Sequence, residues 1–128
     1  MTVAGKLEDL RAGLPGCSLA AFGDLKSKIT FCISADAKPP QEKLDAICVT
    51  AAAFLDGPLT RRTNTVLGGG RSANLNEAVV LTPDDVQIFL RSHSDAADVL
   101  CCVCSGDTDF QTAVQQARAT LCQIASAP

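Results

Sequence analysis

The sequence has 128 residues and a mass of 13.3 kDa, the size of one compact domain with its own hydrophobic core, which excludes a multidomain enzyme. Its 11 Lys and Arg residues against 14 Asp and Glu residues give a formal net charge of −3, so no overall basic field would attract nucleic acid or anionic lipid. Hydrophobic residues make up 47% and charged residues 20%, proportions typical of folded domains and not of disordered chains.

The sequence also predicts the cellular compartment of the protein. The longest nearly continuous apolar run, 46–55, is shorter than the roughly 18 residues that a membrane-spanning helix needs. Charged residues (Lys6, Glu8, Asp9) occupy the N-terminal stretch in which an export signal would have its apolar core. We therefore expect a protein of the reducing cytoplasm without membrane insertion. The seven cysteines are an odd number within apolar runs, so we expect buried thiols and not disulfides.

The N-terminal part of the chain predicts a helix followed by two strands. Leucines at offsets of three and four predict an amphipathic helix over 3–14, ended by Pro15 and Gly16 (Leu7, Leu10, Leu14). Residues 17–22 are small or apolar at every position, as in a strand covered on both faces. Residues 28–34 alternate and indicate a more peripheral strand. Its faces are predicted to carry Ile29, Phe31 and Ile33 on one side and Thr30, Cys32 and Ser34 on the other.

A central helix and a loop are predicted next. Pro39 and Pro40 suit the first turn of a helix, and the helical pattern runs to Asp56 before a Gly-Pro pair stops it. The stretch 59–76 is the least periodic part of the chain and is predicted to be a loop. Three consecutive glycines there resemble the end of a phosphate-binding loop, but Thr65 replaces the glycine that this motif needs, and a linker is favoured. Three uncompensated arginines are candidates for contact with an acidic partner or a phosphate (Arg61, Arg62, Arg71).

The C-terminal half predicts three strands and a closing helix. Strands are predicted at 77–81, 86–91 and 99–104, and a tight turn with proline at its second position makes the first two antiparallel. Residues 99–104 are apolar on both faces, which indicates a central strand. Asp107 is the predicted N-cap of the closing helix, whose apolar stripe is expected to face the sheet (Phe110, Val114, Ala117, Leu121, Ile124).

This order of elements, α-β-β-α-β-β-β-α over 3–125, resembles the Roadblock / dynein light chain family, whose folds relate to longin and profilin-like domains. The resemblance rests on the first hairpin (PGCSLAAF, 15–22), the alanine-rich central helix, and the meander 77–104 with its closing helix. Asp-Leu at 24–25 departs from the Asp-Gly that is common in the family's first turn.

The resemblance implies a single α+β domain over 1–128. In this α/β/α sandwich, a five-stranded antiparallel sheet of order 2-1-5-4-3 carries the central helix on one face and the two terminal helices on the other. The sequence pattern agrees with that order, because the two strands that are apolar on both faces, the first and the fifth, fall inside the sheet. The second strand falls at an edge.

The central helix has two apolar stripes. One is sufficient to cover a sheet (Leu44, Ile47, Cys48, Ala51, Leu55). The other, with Ala46, Val49 and Ala53, needs either the loop 59–76 or a second protein to cover it, and we favour a protein because the loop offers few large hydrophobic residues. Roadblock-like proteins dimerise through this helix and the third strand. The resemblance therefore implies a homodimer interface formed by Ala46, Val49, Ala53, Ala78, Val79, Val80 and Leu81.

Cysteine and histidine chemistry receives less support. Along a strand, Cys102 and Cys104 would share one face while Cys101 points away, and no second Cys-x-x-Cys pair completes a zinc site. Cys17 or Cys32 could approach the fifth strand across the sheet. The single histidine, His93, lies in a polar loop and does not by itself establish a catalytic dyad. We expect structural thiols, no metal, no cofactor and no catalytic residues.

These observations favour a non-catalytic dimeric adaptor or regulator. The family resemblance implies a scaffold or modulator of a small Ras-like GTPase, or a light chain of a motor complex such as dynein. A second hypothesis is a small-ligand sensor of profilin-like fold, with a pocket between the sheet and the loop 59–76. A third is a thiol-dependent or metal-binding protein.

Overall fold

The computed structural model describes residues 2–56, 76–92 and 96–126. Its elements follow the predicted order: α1 (Val3–Gly13), β1 (Cys17–Asp24), β2 (Ile29–Ala35), α2 (Gln41–Asp56), β3 (Glu77–Leu81), β4 (Asp85–Leu90), β5 (Asp98–Ser105) and α3 (Phe110–Ser126). Within these residues, no helix is long and apolar enough to cross a membrane.

The five strands form one antiparallel sheet in the order β2-β1-β5-β4-β3, which confirms the predicted topology. β1 and β5 lie inside the sheet, and consecutive residues of each are buried on opposite faces, such as Ala20 and Ala21 in β1. A strand covered on both faces accepts only apolar or small side chains, and this is why both strands were recognisable from sequence.

Two layers of helices cover the sheet. α1 and α3 pack on one face, which we call the α1/α3 face, through buried residues that include Leu7, Leu10 and Leu121. Of the described helices, α2 is the one that packs on the opposite face, the α2 face, where its buried stripe meets Phe89, Val99 and other core residues. The predicted sandwich, with one helix on one side and the two terminal helices on the other, is confirmed.

The alternation predicted for β2 is wrong, because the strand contains a β-bulge. Phe22 pairs with Cys32, but the next residue of β1, Gly23, pairs with Thr30, so Phe31 is an extra residue. Thr30 Oγ1 lies 3.3 Å from Cys48 Sγ of α2, which places Thr30 on the α2 face. Phe31 is left 61% exposed at the edge of the sheet. One inserted residue moves the side chains beyond it to the other face, and a period-two pattern does not reveal the insertion.

The predicted start of the closing helix also needs correction. α3 begins at Phe110, and its N-cap is Asp109, whose carboxylate accepts hydrogen bonds from the Gln111 N–H (3.1 Å) and the Thr112 hydroxyl (2.9 Å). Asp107 instead accepts a hydrogen bond from Ser105 Oγ (2.6 Å) in the preceding turn. Phe110, predicted to face the sheet, is exposed, Val114 is half-buried, and the buried stripe of α3 consists of Ala113, Ala117, Leu121 and Ile124.

Candidate interaction surface

The two apolar stripes predicted for α2 are present in the structure. The inner stripe is buried against the sheet (Leu44, Ile47, Cys48, Ala51, Leu55). On the outer side, Ala46, Val49 and Ala53 are exposed, and Val49 shows 50% of its surface. Phe54, next to this outer stripe, is also exposed and was not among the predicted residues. An apolar helix surface of this kind is unusual for a side that faces only water.

β3 is the edge strand at the end of the sheet opposite β2. In the described part of the chain no strand pairs with its outer side, so its outward N–H and C=O groups form an open row. Ala78 and Val80 are half-buried on the α2 face. Val79 and Leu81 lie on the other side and are 37% and 68% exposed. An apolar edge strand of this kind is suited to pairing with another strand.

Two arginines connect the end of α2 to the start of β3. Arg91, only 1% exposed, donates a hydrogen bond to the Leu55 carbonyl oxygen (3.3 Å) in the last turn of α2, where helix carbonyls lack partners and favour a cation. Its backbone N–H donates to the Asn76 carbonyl (2.9 Å). Arg118 of α3 donates to the carbonyls of Arg91 (2.6 Å) and Asn76 (3.1 Å) and lies 3.3 Å from the Glu77 carboxylate. These contacts hold β3 in place beside α2.

Sequence reasoning missed these two arginines. From the sequence, Arg91 is expected to be the exposed polar residue that ends a strand, because arginine is almost never fully buried unless it is paired. The only available signal is its position directly after the apolar stretch 88–90, and that signal does not predict contact with α2.

The cysteines divide between the two faces of the sheet, as predicted for β5. Cys102 and Cys104 lie on the α1/α3 face with Cys17, whereas Cys101 lies on the α2 face. Cys17 pairs with Cys104 across β1 and β5, while β1 separates Cys32 from β5. The expectation of burial is wrong for two of the seven cysteines, because Cys32 is half-buried and Cys122 is exposed.

Hydrogen bonds among the three thiols on the α1/α3 face shift their ionisation. Hydrogen bonds from Cys102 and Cys104 to the Cys17 sulfur hold the pKa of Cys17 well below its ordinary value, against the opposing effect of burial. The same contacts, together with burial, raise the pKa of Cys102 and Cys104. Among the residues that the structure describes, no cluster of three or more His, Cys, Asp or Glu side chains is arranged to hold a metal ion.

Several predicted residues lie outside the described ranges. These are the three arginines of the loop (Arg61, Arg62, Arg71), the glycine run, and His93. The pocket hypothesised between the sheet and the loop 59–76 depends on the same segment and stays a prediction.

Comparison with solved structures identifies the fold. The chain is similar to the Roadblock/LC7 domain from Streptomyces avermitilis, with a TM-score of 0.75 and 11% identity over 95% of this chain and 93% of that one. It is also similar to the gliding protein MglB from Thermus thermophilus, with a TM-score of 0.72 and 18% identity over 96% of this chain and 87% of that one. For MglC from Myxococcus xanthus the TM-score is 0.60 and the identity 14%, over 97% of each chain.

No protein-family model and no curated protein matches the sequence. The structural similarity nevertheless extends over nearly the whole chain, with helices and strands in the order described above. The chain therefore has the Roadblock fold, which the sequence resemblance predicted.

Proposed function

We propose that this chain is a non-catalytic adaptor or regulator that acts as a homodimer in the cytoplasm and modulates or scaffolds a small Ras-like GTPase or a motor complex. The observation that carries the proposal is the exposed apolar stripe of α2 next to the open edge of β3. Both features are explained at once if a second copy covers them.

The proposed dimer joins two copies about a two-fold axis. β3 pairs with β3 of the other copy and extends the antiparallel sheet, which satisfies the open row of backbone groups. The α2 helices then lie side by side, and the small side chains of Ala46 and Ala53 permit their close approach around Val49. The interface comprises Ala46, Val49, Ala53, Ala78, Val79, Val80 and Leu81.

The similar solved structures support self-association and a regulatory role. One MglB structure, with a TM-score of 0.70 and 18% identity to this chain, is described as having a tetrameric arrangement. The sequence resemblance to the Roadblock family implies an adaptor or a modulator of a small Ras-like GTPase, and the fold shared with the Roadblock/LC7 domain and MglB supports this. We assign contact with an acidic or phosphate-bearing partner to Arg61, Arg62 and Arg71, because no acidic residue lies between 59 and 76 to neutralise them.

The mass in solution tests the dimer. We expect size-exclusion chromatography with light scattering to give about twice 13.3 kDa, using refractive-index detection because the chain contains no Trp or Tyr. Ala53→Glu places a charge in the interface and should give monomers. The matched control is Ala119→Glu, which changes an exposed alanine of α3 and should remain dimeric. A monomeric wild-type chain would contradict the proposal, and a dimeric Ala53→Glu variant would contradict this interface.

Charge reversal tests the partner. Arg61→Glu with Arg62→Glu should weaken binding to a Ras-like GTPase from the same organism by at least tenfold, measured by titration calorimetry in both nucleotide states. The control is Lys26→Glu with Lys43→Glu, which reverses two exposed charges elsewhere on the domain and should leave the affinity unchanged. Equal affinities for the two double variants would show that the loop arginines do not bind the partner.

A further inference from the structure

A cluster of three thiols lies on the α1/α3 face, away from the proposed interaction surface. Cys17, Cys102 and Cys104 belong to the same buried core, and all three are free. A small apolar residue would fill such positions equally well, whereas three adjacent sulfur atoms provide chemistry that packing does not require. The three thiols therefore form a candidate site for sulfur chemistry.

The strand register brings Cys17 and Cys104 directly opposite each other. The next pair along, Gly16 and Ser105, is joined by a hydrogen bond of 2.9 Å from the Ser105 N–H to the Gly16 carbonyl, so the two cysteines occupy a non-hydrogen-bonded position. The Cα atoms of such a pair are typically about 4.5 Å apart. Disulfides form at Cα separations of about 4.4–6.8 Å, so a regular pair of this kind is compatible with one; in β1 a register irregularity between Cys17 and Leu19 directly follows the pair.

The strands approach closely beside these thiols. Gly16 has a φ of 83°, in the left-handed region, and a Cβ atom at this position would lie only 2.4 Å from Ser105 Oγ. Only glycine permits this approach. Cys102 presents its thiol on the same face two residues before Cys104, so Cys17 faces two thiols of β5.

Cys17 is the thiol best suited to react first. Interactions with its two neighbours lower the pKa of Cys17 and raise the pKa of Cys102 and Cys104, so of the three thiols Cys17 gives the nucleophilic thiolate most readily. Cys17 is 6% exposed, compared with 1% for each of the other two. It directly follows Gly16, which lines a groove of about 430 Å³ between the α1–β1 turn and the start of α3. Cys17 is thus the residue that follows the wall of this groove in the chain, although its own side chain does not line the groove.

We propose that these three cysteines form a redox site in which Cys17 reacts with a hydroperoxide and then forms a reversible disulfide with a thiol of β5, Cys104 or Cys102. The Cys17 thiolate attacks one peroxide oxygen; an S–O bond forms, the O–O bond breaks, and the departing oxygen leaves as water or an alcohol after taking up a proton. The second thiol then attacks the sulfenic sulfur; an S–S bond forms, the S–O bond breaks, and water leaves. The two sulfur atoms lose two electrons in total, and the peroxide takes up both.

Peptide mapping without reduction tests the site. The full chain carrying Cys122→Ser, which removes the exposed thiol, is treated with hydrogen peroxide, blocked with N-ethylmaleimide and digested with trypsin. Cleavage isolates Cys17 in the peptide 12–26 and the β5 cysteines in the peptide 92–118. We expect these peptides to become linked in most chains and to separate again after dithiothreitol. Absence of the linked pair after peroxide treatment overturns the proposal.

Two variants identify the sulfur atoms that form the bond. Cys17→Ala should abolish the linked pair, and Cys102→Ala with Cys104→Ala should do the same. Cys101→Ala is the matched control, because this residue of β5 lies on the opposite face and should not contribute. If a variant fails to fold, as judged by circular dichroism, fragmentation of the linked wild-type peptides identifies the bond directly. A bond from Cys17 to Cys101 contradicts the proposal.

Discussion

The two faces of the sheet differ in how completely the chain covers them. On the α1/α3 face, two helices interlock over the central strands, and residues such as Leu7 and Leu121 are fully buried. On the α2 face, one helix of the described ranges covers the sheet, and its outer stripe is exposed beside the edge strand β3. Among the described residues, the first face is covered within one chain, whereas the second leaves an apolar stripe exposed, which a second copy covers in the proposed dimer.

The largest difference between the two faces should appear in the free energy of unfolding when one apolar side chain on each face is shortened to alanine. Leu121→Ala should lower the free energy of unfolding by about 3 kcal/mol at every chain concentration, because it leaves a cavity in a complete core. Val49→Ala should have little effect in dilute solution and a larger effect in concentrated solution, because Val49 is half exposed in one chain and covered by a second copy in the proposed dimer. Urea denaturation followed by circular dichroism at two chain concentrations measures both effects. A concentration-independent effect of Val49→Ala would show that no second copy covers the α2 stripe.

A smaller effect is expected at the contact that holds α2 to β3. Arg91→Met removes the hydrogen bond to the Leu55 carbonyl and should destabilise the fold by about 2 kcal/mol. It should also weaken the dimer, because the contact positions both parts of the interface. Leu121→Ala is the control for general destabilisation, and dilution monitored by light scattering measures dissociation. If Arg91→Met and Leu121→Ala dissociate to the same extent on dilution, Arg91 does not position the interface.

The smallest effect concerns the helix that closes the α1/α3 face. The hydroxyl and N–H of Thr112 lower the pKa of Asp109, so its carboxylate stabilises the fold at pH values above its ordinary pKa of about 3.9. This contribution is lost as the pH falls through the lower pKa of the folded state. Asp109→Asn retains a capping oxygen but does not titrate, so its melting temperature should fall less than that of the wild type between pH 5 and pH 2. If the melting temperatures of Asp109→Asn and the wild type fall equally between pH 5 and pH 2, the ionised Asp109 carboxylate does not stabilise the fold.

The sequence identifies elements whose burial leaves a direct pattern. A strand covered on both faces reads as continuously apolar, and the two stripes of α2 follow from helical periodicity alone. The division of Cys101 from Cys102 and Cys104 follows from strand alternation in the same way. For these elements, the burial predicted from the local sequence agrees with the burial in the folded structure.

Features that depend on one residue of register, or on a distant contact, are not visible in this way. Asp107 and Asp109 are both chemically suited to cap α3, and the hydrogen bonds of the folded chain distinguish them: Asp109 accepts from Gln111 and Thr112, whereas Asp107 accepts from Ser105. The bulge at Phe31 depends on how β2 pairs with β1. The burial of Arg91 depends on a contact that is distant in sequence, its hydrogen bond to the Leu55 carbonyl in the last turn of α2. Sequence therefore predicts the exposed stripe of the candidate site but not the arginines that position it.

The bulge at Phe31 also bears on how far association can proceed. A sheet with two regular edges can add copies at both ends and grow into an open-ended filament. Here β3 is regular along its length, whereas the extra residue in β2 interrupts the spacing of backbone groups that a further strand would need. Pairing of β3 with β3 uses the regular edge of both copies and leaves only interrupted edges outside. The same residue that disturbs the pattern of β2 thus favours a closed pair over a polymer.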